Sequence, residues 1–151
     1  MKPSHALSTL IHQTAAKFSA ITEEQWSHKA SPSIWSKKEI LGHLIDSAMN
    51  NLRRFVVTQY QQNDKIYYRQ DEWVAFQEYQ HAPTEEVIEL WKLLNLQICR
   101  TIDNMPPEKL EYTCDTGKTA EQLHTLEFLI DDYIVHMQHH LKDILAVPAS
   151  R

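Results

Sequence analysis

"WSKKEILGHL", residues 35–44, marks a helix start more firmly than any other stretch of the chain. Ser36 and Glu39 stand three apart, the capping-box spacing, in which each side chain satisfies a backbone N–H of the other. Trp35 before the cap and Ile40 after it have the spacing of a hydrophobic staple. Ile40, Leu41, Leu44, Ala48, Leu52 and Phe55 then recur at helical period, predicting a helix to about Gln62. His43, Ser47, Asn50 and Arg54 run as a polar stripe along the margin of that apolar face. A buried-edge row of this kind suits a cleft wall better than a plain core. Gly42, beside His43, costs a helix interior about 1 kcal/mol against alanine, which points to close packing or a need for space there.

Three more helical patterns flank this one. The first covers about 4–20, with Ser4 as its N-cap and Leu7, Leu10, Ile11, Thr14 and Phe18 on one face. Thr22 caps a short extra turn that "ASPS" ends. The third begins at Thr84, with Glu85 and Glu86 suited to the positive end of its dipole. Val87, Leu90, Trp91, Leu94, Ile98 and Ile102 line one side, and Pro106-Pro107 stops it. The fourth runs from near Thr125 to about Leu145. No stretch alternates convincingly as a strand, and two glycines in 151 residues fit a helical chain better than one rich in tight turns. About twenty residues separate the second helix from the third, and the third from the fourth. Bundle hairpins usually take about 2–8, so crossover connections are expected. The aromatic segment "KIYYRQDEWVAFQEYQ" is expected to pack over one end of the bundle and to hold a short helix.

Composition narrows the function classes. The net charge is −5, and the basic pairs Lys37-Lys38 and Arg53-Arg54 are too small to make a nucleic-acid surface. No apolar run approaches the roughly 18 residues of a membrane span. The N-terminus lacks the apolar core of a signal peptide, so a cytoplasmic location is expected. Cys99 and Cys114 have no C-x-x-C spacing and are expected to be reduced thiols, Cys99 in the core. A single domain over 1–151 is the expectation for this length.

The chemistry concentrates in "DYIVHMQHHLKDI", residues 132–144. On a wheel, Leu126, Ile130, Ile134, Met137, Leu141 and Ile144 form the apolar face. His136 and His140 fall on its margin with Leu129 and Tyr133, whereas His139 falls further round, towards water. Two histidines at i, i+4 can reach one metal ion. A catalytic site needs a third ligand and an open position, and His43 is the candidate on another helix. The other readings are a structural metal closed by a fourth ligand, and a histidine-rich bundle margin with no metal. "HMQHH" is not H-E-x-x-H, because Met137 stands where the general-base glutamate would be. His5, His12, His28, His81 and His124 are expected to be solvated.

"WSKKEILGHLIDSAMNNLRRF" followed by "TLEFLIDDYIVHMQHHLKDI" resembles the DinB/YfiT-like superfamily of metal-dependent enzymes. The resemblance implies an all-α four-helix bundle with long crossover connections, often a homodimer. It implies a divalent metal, zinc or nickel, on His43, His136 and His140. It also implies a small-molecule substrate and either thiol-dependent S-transfer, with a low-molecular-weight thiol as cofactor, or hydrolysis. A non-catalytic metal-binding module in stress response or partner binding is the alternative. Within such a site Asp132 or His139 would carry protons or orient a ligand, and Asn50 and Arg54 would bind an anionic group. Trp35 and Tyr133 are candidates for the pocket wall.

Overall fold

The computed structural model describes residues 2–146. Four long helices carry the fold: α1 (Pro3–Phe18), α3 (Lys37–Tyr60), α5 (Thr84–Asp103) and α6 (Leu126–Leu145). Two short ones, α2 (Glu23–Ser27) and α4 (Gln70–Gln77), lie in the connections, with 3₁₀ turns at Tyr79–His81 and Pro107–Glu111. α3 packs against α5 and α6, and α1 packs against the same two. The first and second long helices therefore sit across the bundle from each other, as do the third and fourth. That arrangement is what the long connections require.

The capping predictions hold for the helices that matter most. Ser36 accepts from the Glu39 N–H at 3.1 Å, and Glu39 accepts from the Ser36 N–H at 3.1 Å. Thr22 closes the same reciprocal box with Gln25. Thr125 caps α6 by accepting from Phe128 N–H at 3.1 Å. At α1 the expected cap is displaced: Lys2 is the N-cap, Pro3 opens the helix, and Ser4 lies buried within the first turn. Proline is favoured there because its missing N–H is unpaired in any first turn. The Ser4 hydroxyl turns instead to Asp103 at the end of α5.

The core is built on Trp91, Phe18, Phe55, Leu7, Ile11, Leu41, Leu44 and Ile45. Phe18 meets Trp26 edge-on at 5.1 Å between ring centres and Trp91 at 5.3 Å. On α5 Val87, Trp91 and Ile98 are buried as expected, but Leu90 is exposed and Asn95 is fully buried. Asn95 accepts the hydroxyl proton of Tyr133, so two polar groups satisfy each other inside the core. Tyr133 is therefore a core residue rather than a pocket wall; its ring meets Phe55 edge-on at 6.0 Å.

A two-stranded antiparallel ribbon corrects the expectation of no strand. β1 (Thr113–Asp115) pairs with β2 (Leu123–Thr125), with Cys114 opposite His124. Three-residue strands are too short to show alternation in sequence. The loop between them is tied by Asp115, whose carboxylate accepts from Gly117 N–H at 2.9 Å and Gln122 N–H at 3.0 Å. His124 is half-buried and stacks on Phe128 at 4.5 Å, so it is not a freely solvated histidine. Residues 63–66 run beside β1. Asn63 N–H donates to Thr113 O at 2.7 Å, Asp115 N–H to Asp64 O at 3.1 Å and Ile66 N–H to Asp115 O at 2.9 Å. Among the described residues no helix is long and apolar enough to cross a membrane.

Candidate metal centre

The packing of α3 on α6 brings His43, His136 and His140 together. One ring nitrogen from each lies within 4.8 Å of the others. His43 Nε2 is 3.4 Å from His136 Nε2. The three rings meet edge to face, with centres 5.2, 4.8 and 4.6 Å apart. A tetrahedral ion with metal–nitrogen bonds of about 2.0–2.1 Å holds its ligand nitrogens about 3.3–3.4 Å apart. The His43–His136 pair already has that spacing.

The donors are in the right protonation state. His43 is buried, and burial, followed by His136 and His140, lowers its pKa from 6.5 to about 3. Burial also lowers His136 and His140, reinforced by neighbouring histidines and opposed by Asp132 and Asp143 respectively. Neutral imidazole is the form that binds a metal. No fourth His, Cys, Asp or Glu joins the group among the described residues. The donor set thus fits a three-histidine ion with room for another ligand.

The other predicted residues are distributed differently. Asp132 lies one turn before His136, is exposed, and is close enough to act on its charge. His139 is exposed, with its ring 5.4 Å from that of His140. Trp35 lies against the site, 5.1 Å from His43 between ring centres. Asn50 is buried and donates to the Asp46 carbonyl at 2.9 Å within its own helix. Arg54 donates to the Ile66 carbonyl through Nε at 3.0 Å and Nη2 at 2.7 Å, and through Nη1 to Asn51 at 3.4 Å. The polar ends of Asn50 and Arg54 are thus engaged by the chain itself.

Sequence reading missed two features beside His43. The first is Tyr68, whose Oη is 3.0 Å from His43 Nδ1 and whose ring lies nearly parallel to the imidazole at 6.0 Å. It stood in the sequence as one of several aromatics in a connecting segment. The second is Asp46, fully buried one turn along α3. Tyr79 Oη donates to its Oδ1 at 2.6 Å and Gln77 Nε2 at 3.2 Å, while Oδ2 has no partner. Burial raises its pKa from 3.8 to about 6, against the opposing pull of those two hydrogen bonds. Gly42 was the available signal: a Cβ there would stand 2.1 Å from Tyr79 Cδ2, so only glycine lets the ring lie across α3 and reach Asp46.

A family model of the DinB superfamily matches residues 6–144, and the chain belongs to that superfamily. The fold is similar to that of YfiT from Bacillus subtilis, with a TM-score of 0.78 and 19% identity over 93% of this chain and 83% of that one. YfiT is described as "a probable metal-dependent hydrolase with an unusual four-helix bundle topology". A sequence search among curated proteins finds no match.

Proposed function

We propose that this protein is a metal-dependent enzyme that binds one divalent ion through His43, His136 and His140 and acts on a small electrophilic molecule. The observation that carries this reading is the convergence of three neutral imidazoles with no fourth protein ligand beside them among the described residues. A structural site would be closed by four protein ligands, whereas a catalytic one keeps a position open. When bound, the ion supplies Lewis acidity that brings a water or a thiol towards its deprotonated, nucleophilic form at neutral pH. His43 anchors the site from the buried side, and His136 and His140 supply the half-buried side facing substrate. Trp35 offers an apolar surface against the reacting groups. Asp132 and His139, both exposed on α6, would carry protons or orient a ligand. Water as nucleophile gives a hydrolase and a small thiol gives an S-transferase. A thiol held by the ion as its thiolate needs no further base, which favours the thiol.

The test is the metal content of protein made without a histidine tag, beside the His43→Ala/His140→Ala double variant, each also incubated with zinc or nickel. One ion per chain, lost in the variant, supports the reading. No metal in either form overturns it. Turnover of model electrophiles with water alone, or only with added small thiols, then separates hydrolysis from transfer.

A further inference from the structure

We propose that Tyr68 is a positioning residue: a strap of chain clamped by Arg54 sets its hydroxyl against His43 Nδ1, fixing the tautomer that presents Nε2 to His136 and His140. This inference rests on the metal reading above and adds to it the device that holds the buried ligand ready.

The argument begins with the hydroxyl. A phenol has one proton to give and lone pairs to accept with. A phenol, with an ordinary pKa of about 10, keeps that proton at neutral pH. Its Oη lies 3.0 Å from His43 Nδ1 and 3.4 Å from the His43 carbonyl oxygen. A carbonyl only accepts. With the phenol proton directed there, Nδ1 is the donor to Oη, and the Nε2 lone pair is left free. Nε2 is the atom that lies 3.4 Å from His136 Nε2. Ligating histidines commonly use their other ring nitrogen in this way. Among the described residues, His43 is the one member of the trio whose outer nitrogen meets a hydrogen-bonding side chain.

Tyr68 does not belong to any helix of the bundle, so something must place it. Its ring is bounded by Trp73, edge-on at 5.8 Å. Two residues before it, Ile66 is buried, and its carbonyl takes two of the Arg54 donors while its N–H reaches Asp115 O at 2.9 Å. Arg54 thus ties the strap to α3, eleven residues along the same helix from His43. The arginine that the sequence suggested for ligand binding acts on the site through the backbone that carries Tyr68.

The test uses ¹⁵N NMR of the imidazoles in metal-free protein and zinc affinity by competition with a chromogenic chelator. His43 is expected to carry its proton on Nδ1 in the metal-free wild type. Tyr68→Phe, which keeps the ring, should populate both tautomers and weaken zinc roughly 10- to 100-fold. Arg54→Met should shift both in the same direction and by less. Tyr67→Phe, at the exposed neighbouring residue, should shift neither. A wild-type His43 protonated on Nε2, or unchanged zinc affinity in Tyr68→Phe, overturns the proposal while leaving the metal site standing. Failure of the wild type to bind zinc or nickel overturns the metal reading, and the tautomer still decides the role of Tyr68.

Discussion

Gly42→Ala should destabilise the protein, although alanine is the better helix former. At an ordinary helix interior the exchange gains about 1 kcal/mol. Here the new Cβ would stand 2.1, 2.4 and 2.7 Å from Cδ2, Cγ and Cε2 of Tyr79. These atoms form the root of the ring, so the whole side chain must move rather than a flexible tip. Carbon atoms in favourable contact lie about 3.5–4.0 Å apart, so the ring is displaced by more than 1 Å on the order of that difference. Overpacking of this kind costs about 1–3 kcal/mol. The displacement also breaks the 2.6 Å hydrogen bond from Tyr79 to Asp46, and a bond to a charged group contributes about 1.5–3 kcal/mol. The net loss is roughly 2–5 kcal/mol, which lowers the midpoint of thermal unfolding by roughly 5–15 °C for a chain of this size. Urea denaturation followed by circular dichroism measures it. In a Tyr79→Ala background the same Gly42→Ala change should turn stabilising, by about 1 kcal/mol. A Gly42→Ala protein as stable as wild type with Tyr79 in place would refute the reasoning.

Two further outcomes are expected. The folded pKa of Asp46 lies above its ordinary value, at about 6 against 3.8. Below pH 4 on the order of the ordinary carboxylate value the folded state bears no penalty from this group. As pH rises towards 6 the folded protein holds a proton that the unfolded chain has released, and stability falls. Relative to Asp46→Asn, wild type should lose about 3 kcal/mol across that interval and then level off. Comparing the two proteins cancels the histidines, whose lowered pKa values work in the opposite sense, losing stability as pH falls below their ordinary value. A flat difference between pH 4 and 7 would count against the buried environment assigned to Asp46. Separately, Lys37 caps the end of α6 from α3, donating to the carbonyls of Ile144 at 2.6 Å, Ala146 at 3.0 Å and Asp143 at 3.3 Å. Lys37→Met keeps the stem and removes the donors, and should cost about 1 kcal/mol, with loss of amide protection in the last turn of α6. Unchanged hydrogen exchange there would show that the cap contributes nothing.

Local signals made the helices legible. Capping boxes at Ser36 and Thr22 and the helical period of the apolar residues are properties of neighbours along one chain, and the structure reproduces them. The relation of His136 to His140, and the wetter place of His139, followed from the pitch of a single helix. The cap of α1 falls on Lys2 rather than Ser4 because Pro3 opens the helix, which leaves Ser4 inside the first turn. On α5 Asn95 was missed because it is buried against a partner on another helix, Tyr133, which no period on α5 reveals.

What the sequence by itself determined was therefore a chain built on four long helices, its crossovers, and two histidines poised on one helix margin. Each depends on spacing within one element or on the length between elements. That His43 comes within 4.8 Å of those histidines required the packing of α3 on α6. That Tyr68 reaches His43, that Arg54 holds the strap behind it, and that Gly42 makes way for Tyr79 over a buried Asp46 were likewise decided by tertiary structure alone. A hydrogen bond between residues 25 apart, or a clash avoided across 37, leaves no period in a sequence, because nothing local constrains it until the backbone has folded.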